Sequence, residues 1–232
     1  MLFFGLEKLS LVDYDGVVAS TVFTGGCNFK CGFCHNSPLV LDYSNLNTLL
    51  EEDILSYLQK RKGIIEGLCI TGGEPTLHLD LPSFCAKVKA LGLKVKLDTN
   101  GTNPTMVKQL SKNGLVDFFA MDIKNSLSDY APIIGFSSYN TAKIEETINY
   151  FLTSDVDYEF RTTLIKEFHK EKNIREIGVL LKGAKKYVLQ KFKDGENCIE
   201  SHLSPLENEV VLGYQKILKD YIPNTLLRGY DL

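Results

Sequence analysis

Apolar and polar positions along the chain follow two periods in turn, one typical of strands and one typical of helices. Segments rich in β-branched and apolar residues recur six times, and segments with apolar residues at helical spacing separate them. Strands separated by helices pair in parallel through right-handed crossovers. The pattern therefore predicts an α/β fold, a partial (β/α)6 TIM-like barrel of parallel strands. The predicted strands cover residues 17–23, 64–71, 94–99, 116–123, 157–165 and 186–192.

The helix-like segments and the tail complete the predicted organisation. Asp80 is the expected N-cap of the second helix, and a capping box from Ser204 to Glu207 predicts a last helix in the tail. We expect a single domain, with residues 1–192 as the core and residues 193–232 as a loop and helix packed on it. The other helices are predicted over 51–63, 80–92, 104–113, 141–152 and 173–184. The apolar stripe of the last helix consists of Val211, Tyr214, Leu218 and Tyr221.

Composition and charge narrow the class of protein. The chain has 232 residues, of which 44% are hydrophobic and 24% charged, as in ordinary globular proteins. A net charge of −3 gives no indication of a nucleic-acid partner. No apolar run approaches the roughly 18 residues of a membrane span, and the first residues lack the features of a signal peptide. We therefore expect a cytoplasmic protein without a membrane or nucleic-acid partner.

Three cysteines lie close together in the segment "GGCNFKCGFCHN", directly after the first predicted strand. Cys27, Cys31 and Cys34 have the spacing C-x3-C-x2-C. Thiolates favour zinc or iron–sulfur clusters, and a [4Fe–4S] cluster usually takes four cysteines. Three cysteines leave one iron accessible to a small molecule. Two alternatives are a zinc site completed by His35 and an electron-transfer cluster with a fourth cysteine.

The remaining cysteines and histidines receive simpler interpretations. Cys69 lies in a predicted strand and Cys85 on an apolar helix face, so both are expected to be buried and structural. Cys198 lies in a loop, where the sequence assigns it no role. The other histidines, His78, His169 and His202, are interpreted as surface or packing residues.

Polar segments follow the successive predicted strands. "GGEP" follows the second strand and "DTNG" the third, Asp122 lies near the end of the fourth, and Arg161 lies on the fifth. Each segment alone is typical of an ordinary turn or a salt bridge. In parallel β/α folds, however, the chemistry gathers at the carboxyl ends of the strands. Their order along the chain therefore favours one shared site.

The spacing C-x3-C-x2-C, with Phe33 before the last cysteine, resembles that of the radical S-adenosylmethionine enzymes. The resemblance implies a [4Fe–4S] cluster on Cys27, Cys31 and Cys34, with S-adenosylmethionine bound to the fourth iron. It also implies that Phe33 contacts the adenine. The segment Gly72, Gly73 and Glu74 is implied to meet the methionyl amino group. The predicted cofactor site further includes His35, Asp98, Asn100, Asp122, Lys124 and Arg161.

Within that family, the chain resembles the activating enzymes of glycyl-radical proteins. The matching stretches are "SLVDYDGVVASTVFTGGCNFKCGFCHN", "TGGEPTL", "KVKLDTNGTNP", "VDFFAMDIK" and "FRTTLI", and the likeness is greatest to the activating protein of anaerobic ribonucleoside-triphosphate reductase. The resemblance implies that flavodoxin or ferredoxin supplies an electron. It also implies that a 5′-deoxyadenosyl radical removes a glycine Cα hydrogen from a partner glycyl-radical enzyme. Related formate-lyase activators carry a histidine after the sixth strand, where this chain has "VLQKF" with Gln190.

Asp98 and Asp122 raise a separate expectation about ions. Two neighbouring carboxylates repel, and a monovalent cation, K⁺ or Na⁺, would relieve this with Thr99 as a further oxygen ligand. The resemblance to formate-lyase activators also implies such an ion. The alternative is that Asp98 caps the "TNG" turn and that Asp122 pairs with Lys124 or Arg161.

Three alternative functions stay open at this point. The chain could activate pyruvate formate-lyase or another glycyl-radical enzyme. It could be a radical enzyme that acts on a small molecule or a peptide. It could also be a non-catalytic iron–sulfur or zinc module.

Overall fold

A mixed sheet of eight strands runs through the chain in the computed structural model, which describes residues 1–231. The strands adjoin in sequence order, β1 to β8. β1 pairs antiparallel with β2, whereas the β2–β3, β3–β4, β6–β7 and β7–β8 pairs are parallel. The predicted α/β class is therefore confirmed. The strands are β1 Phe3–Ser10, β2 Ala19–Thr24, β3 Gly67–Gly72, β4 Lys94–Thr99, β5 Phe118–Asp122, β6 Tyr158–Leu164, β7 Tyr187–Lys191 and β8 Thr225–Arg228.

The sequence pattern misses the first and last strands. β1 has no clean alternation of apolar and polar residues, because its pairing with β2 shifts register between Phe3 and Gly5 and again between Glu7 and Ser10. β8 has only four residues, too few for a period-2 pattern to stand out. The six predicted strands correspond to β2–β7, with ends that differ by three residues or fewer.

Eight α-helices lie between and beside the strands in the described part of the chain. None of them is long and apolar enough to cross a membrane. The helices are α1 Ser37–Leu41, α2 Glu51–Lys60, α3 Leu81–Ala90, α4 Pro104–Lys112, α5 Tyr130–Ile133, α6 Ala142–Thr153, α7 Glu171–Leu180 and α8 Asn208–Lys219.

One predicted helix cap is confirmed in position but not in hydrogen bonding, and the other is wrong. Asp80 occupies the N-cap position of α3 but caps no backbone N–H, and its carboxylate lies 2.5 Å from the Met1 ammonium. The capping box at Ser204 does not form, because α8 begins only after Glu207. Ser204 is instead tied to the segment after β6. Its N–H donates to Glu167 at 3.0 Å, and its carbonyl accepts from Lys166 at 2.9 Å.

The chain divides into two compact units. The first comprises Met1–Asn28 and Pro38–Ala120, so it contains β1–β4 and most of α1–α4. Its core includes the fully buried strand residues Val22, Ile70 and Leu97. Phe3 of β1 contacts Phe84 of α3, with ring centroids 4.7 Å apart. Burial of these side chains supplies the main stabilising term of this unit.

The second unit comprises Phe29–Ser37 and Met121–Leu232, of which Leu232 lies outside the described residues. α8 packs against α7 and β8. Val211, Tyr214 and Leu218 are buried, as the predicted stripe requires, whereas Tyr221 is partly exposed. The proposed division into a core over 1–192 and a tail over 193–232 stays a prediction.

A buried ion pair fixes β8 to the sheet of the second unit. Glu159 of β6 is 1% exposed and accepts from Arg228 at 3.0 Å, and Lys186 lies 2.9 Å from its other oxygen. Burial disfavours the charged carboxylate, but these donors outweigh it and lower the pKa of Glu159. The tail is therefore joined to the sheet by a strand and by charge, in addition to the helix that the sequence predicts.

Candidate active site

The segment after β3 lies directly against the segment after β2 in the first unit. The N–H of Gly73 donates to the Thr24 carbonyl at 2.9 Å, and that of Glu74 donates to the Gly26 carbonyl at 2.8 Å. A Cβ atom on Gly73 would lie only 1.9 Å from the Gly26 oxygen. Gly72 has a φ of +115°, which favours glycine. The paired glycines are therefore required by the contact between two backbone segments.

Glu74 is enclosed by neutral hydrogen-bond donors. One carboxylate oxygen accepts from the N–H and hydroxyl of Thr76, at 3.1 and 2.5 Å, and from the Thr99 hydroxyl at 2.8 Å. The other oxygen accepts from the Asn100 N–H at 2.6 Å. Burial raises the pKa of Glu74, and the four hydrogen bonds only partly oppose this. Its contact with a methionyl amino group stays a prediction, while its observed partners join the ends of β3 and β4.

The segment with the three clustered cysteines, residues 25–36, is called the cysteine loop below. Asn100 connects the "TNG" turn to the start of this loop. Its amide donates to Asn28 at 2.8 Å and lies 3.9 Å from the Cys27 sulfur. Thr102 completes the network, since its hydroxyl donates to Asn100 and accepts from Asn28. The sequence analysis missed Asn28, Thr102 and Thr76. Short polar residues directly beside a motif were the available signal.

Asp98 forms a close ion pair within its own strand. Its carboxylate lies 2.5 Å from the Lys96 ammonium, which is also 3.6 Å from the Cys69 sulfur. Lys96 is only 4% exposed. The sequence analysis missed this lysine because "KVKLD" reads as alternating strand with both lysines toward solvent. Lys94 is exposed, as that pattern predicts, but Lys96 is not.

The second and third cysteines belong to the second unit, where they form a turn. The N–H of Cys34 donates to the Cys31 carbonyl at 3.0 Å. Cys31 is buried and Cys34 is partly exposed, and neither forms a disulfide. Burial raises the pKa of the Cys34 thiol, while the Asn36 N–H and the Lys124 ammonium partly oppose this. A bound metal would supply the positive charge that a thiolate needs here.

Asp122 is neutralised by two cations of the second unit. Its carboxylate lies 2.9 Å from Arg161 and 3.0 Å from Lys124. Burial disfavours the charged form of Asp122, but the charges of Arg161 and Lys124 outweigh it and lower the pKa to about 2. Burial likewise opposes the charge of Lys124, but Asp122 and Cys31 outweigh it and raise the pKa. The alternative in which Asp122 pairs with Lys124 or Arg161 is therefore observed, with both partners.

Lys124 is held in place on both sides. Its ammonium lies 5.5 Å from the ring centroid of Phe33, a buried residue of the cysteine loop. Its carbonyl accepts from His169 Nε2 at 2.9 Å, while His169 Nδ1 accepts from the Ile165 N–H at 2.9 Å. Burial lowers the pKa of His169 to about 4, which keeps the ring neutral. His169 is thus a fully buried packing residue, as one of the two sequence interpretations holds.

A segment of the tail, residues 193–200, covers the cysteine loop within the second unit. The N–H of Glu200 donates to the Gly32 carbonyl at 2.8 Å, and the Glu200 side chain fills the space where Gly32 has no Cβ. His35 Nε2 lies 2.5 Å from the Lys193 carbonyl, and its ring contacts Phe192 at 5.8 Å. This cover was not visible in the sequence, since no local pattern joins residues so far apart.

The described residues contain no group of three or more His, Cys, Asp or Glu side chains placed to hold a single metal ion.

Comparison with known proteins defines the class. The sequence profile described as the Radical SAM superfamily matches residues 21–180. The chain belongs to this superfamily, and the prediction of a radical S-adenosylmethionine enzyme is confirmed. Membership implies S-adenosylmethionine and a [4Fe–4S] cluster as cofactors.

Two relatives are similar over most of the chain. MJ1227 of Methanocaldococcus jannaschii, provisionally assigned as a glycyl-radical enzyme activating enzyme, is 33% identical, over 97% of this chain and 94% of that protein. The pyruvate formate-lyase-activating enzyme of Listeria monocytogenes is 28% identical, over 75% of this chain and 79% of that protein. The predicted likeness to activating enzymes of this type is therefore confirmed.

Solved structures agree on the fold. QueE from Escherichia coli has a TM-score of 0.58 at 14% identity and is matched over 98% of this chain and 95% of QueE. SuiB from Streptococcus suis has a TM-score of 0.70 at 16% identity, over 90% of this chain. This chain spans only about half of SuiB, 48% of its length. These likenesses support the predicted partial-barrel fold and carry no information about substrate.

Proposed function

We propose that this protein is an activating enzyme that generates a radical on one glycine of a partner glycyl-radical enzyme. The observation that carries the proposal is the 33% identity to MJ1227, which extends over nearly the whole of both chains. The similarity to a formate-lyase activator over three quarters of the chain supports the same type of reaction. We place the activity in the cytoplasm, where reducing conditions keep cysteine thiols available for iron.

The cysteine loop supplies a donor set that fits the cluster. None of Cys27, Cys31 and Cys34 forms a disulfide, and soft thiolates are the usual ligands of iron–sulfur clusters. With the cluster and S-adenosylmethionine bound there, one electron from flavodoxin or ferredoxin would break the C5′–S bond and release methionine, and the resulting 5′-deoxyadenosyl radical would take a glycine Cα hydrogen and become 5′-deoxyadenosine. The three cysteines are the residues that would hold the cluster.

The remaining side chains orient the ligand and shape its surroundings. Gly72 and Gly73 bring one backbone segment close to the start of the cysteine loop, and the hydrogen bonds of Asn100 hold Asn28 beside Cys27. In the second unit, Phe33 presents a buried ring, and Lys124 and Arg161 fix the carboxylate of Asp122. Such held groups limit the freedom of a reactive intermediate and exclude water.

The partner that we propose is anaerobic ribonucleoside-triphosphate reductase, on the sequence stretches that resemble its activating protein. Pyruvate formate-lyase is the second candidate, favoured by the similarity to the Listeria enzyme. Gln190 on β7 supports the first choice, because formate-lyase activators have a histidine near this position.

The test is anaerobic incubation of the reconstituted, reduced protein with S-adenosylmethionine and each candidate partner. A glycyl doublet in the EPR spectrum of the reductase, absent when the partner's radical glycine is replaced by alanine, is the expected result. Cleavage of S-adenosylmethionine without a glycyl signal on either partner would contradict the activating function and leave the radical chemistry intact.

Two cysteine variants provide matched controls for the cluster. Cys34→Ser should lose the iron and the EPR signal of the reduced cluster, because it removes one of three ligands. Cys198→Ser changes a cysteine of the covering segment and should keep both. Loss of iron from a folded Cys198→Ser protein would show that the ligand assignment is wrong.

A further inference from the structure

Lys96 of β4 is a charged residue that is buried in the first unit, and the proposed reaction assigns it no role. The register of the parallel strands places Thr21, Cys69 and Lys96 side by side on β2, β3 and β4. All three are almost fully buried, with Lys96 at 4% exposure. A buried ammonium is costly unless an opposite charge and hydrogen-bond acceptors lie close to it. Lys96 therefore needs its partner.

That partner is Asp98. Side chains two residues apart on a strand point to the same face, so Lys96 and Asp98 share one side of β4. The ammonium lies 2.5 Å from a carboxylate oxygen of Asp98 and 3.6 Å from the Cys69 sulfur. The Asp98 side chain is 16% exposed. Along β4, Asp98 lies between the buried Lys96 and the carboxyl end of the strand at Thr99.

The Thr99 hydroxyl, which is one of the other oxygen ligands expected for a metal ion, is engaged elsewhere. The Thr99 hydroxyl donates to Glu74 at 2.8 Å and accepts from the Gly101 N–H at 3.1 Å. Thr99 also follows Asp98 directly, so the two side chains leave the strand on opposite faces. A metal ion at Asp98 would in addition meet the positive charge of Lys96 at close range.

We propose that the Lys96 ammonium is a built-in monovalent cation for Asp98, and that it replaces the K⁺ or Na⁺ ion that the sequence predicts at Asp98, Thr99 and Asp122. Lys96 is a positioning residue that neutralises the negative charge of the Asp98 carboxylate and holds its orientation. The part of the proposal that concerns ligand binding rests on the proposed role of Asp98 in the cofactor site. The part that concerns ion dependence does not.

The experiment compares ions at equal ionic strength. Thermal unfolding of the protein, and its binding of S-adenosylmethionine by the reconstituted form, are measured in KCl, NaCl and tetramethylammonium chloride. The wild type should unfold at the same temperature and bind equally well in all three salts. Lys96→Met, which keeps most of the length of the side chain and removes its charge, should gain a dependence on K⁺ or Na⁺. We expect at least a tenfold weaker affinity in tetramethylammonium than in the better alkali salt.

Lys94→Met is the matched control, because Lys94 lies on the same strand but is exposed. It should behave as the wild type in every salt. A K⁺- or Na⁺-specific rise in the unfolding temperature or affinity of the wild type would overturn the proposal. This arm needs no variant, so it decides the matter even if Lys96→Met does not fold. A folded Lys96→Met that is indifferent to the ion would overturn it as well.

The unfolding measurements need neither a partner nor a reductant. Failure of the activating function would therefore leave the ion result unaffected, and failure of the ion result would leave the glycyl-radical test unaffected.

Discussion

The cysteine loop begins in one unit and ends in the other, and its two parts are held by different kinds of contact. In the first unit, the start of the loop is held by backbone hydrogen bonds and by a network of neutral donors around Glu74 and Asn100. In the second unit, Cys31 and Cys34 lie near the charges of Lys124 and Asp122 and beneath a segment of the tail.

The two carboxylates show what this difference means. Neutral donors satisfy Glu74 without cancelling its charge, so burial prevails and its pKa is raised. Cations outweigh the burial of Asp122, so its pKa is lowered. Neutral contacts depend on shape and tolerate salt, whereas charged contacts respond to pH and ionic strength. The following predictions test that contrast.

Gly73→Ala should cause the largest loss. Its new Cβ would meet the backbone oxygen of Gly26 at 1.9 Å, and backbone cannot move aside without breaking the adjoining hydrogen bonds. We expect a loss of more than about 4 kcal/mol in the free energy of unfolding, measured by chemical denaturation. Gly32→Ala is the control in the second unit, because the three atoms nearest to its Cβ all belong to the flexible side chain of Glu200. Equal losses in the two variants would show that the contrast is wrong.

Glu74→Leu should cost about 3 kcal/mol, because it leaves the donors of Thr76, Thr99 and Asn100 without an acceptor in a buried place. The loss should be nearly the same in low and high salt. Glu52→Leu, at an exposed position of α2, should change stability by less than about 0.5 kcal/mol. A loss that disappears in 1 M NaCl would indicate a charged contact in place of a neutral one.

His169 tests whether the response to pH and salt depends on the kind of contact or on the unit in which the residue lies. It lies in the second unit but has neutral backbone partners, and its pKa is about 4 against an ordinary value of 6.5. The unfolded chain binds a proton at the higher value, so stability falls as pH drops from 6.5 to about 4. Protonation of His169 alone should therefore remove about 3 kcal/mol from the free energy of unfolding of the apoprotein over that range. His169→Gln, whose side chain does not titrate, should lack this loss.

Asp122→Asn should have the smallest effect, about 1–2 kcal/mol at neutral pH, because the carboxylate is partly exposed and solvent screens its pairs. The lowered pKa means that this contribution is present above pH 3.8 and is lost as pH falls toward 2. The wild type should also lose part of it in 1 M NaCl, whereas the variant should not respond. A salt-independent difference between the two proteins would argue against a charged contact.

The sequence was sufficient for most of the fold because β2–β7 have strong local patterns. β4 was predicted with its observed ends, Lys94 and Thr99. It was also sufficient for the family, since the cysteine spacing is local. Lys96 was missed because alternation along one strand does not reveal which face is covered. The role of Glu74 as a bridge to Asn100, 26 residues further on, depends on strands that meet only in the folded chain.

The hydrogen bond between Glu200 and Gly32 has a consequence for biosynthesis. Gly32 leaves the ribosome about 170 residues before its partner, which at 5–20 residues per second is a delay of roughly 10–30 s. Throughout that interval Cys31 and Cys34 lack the segment that later covers them, and the strands of their own unit are still being made. The nascent chain therefore exposes these thiols to solvent, and the final cover over the loop forms only after the segment that contains Glu200 has been made.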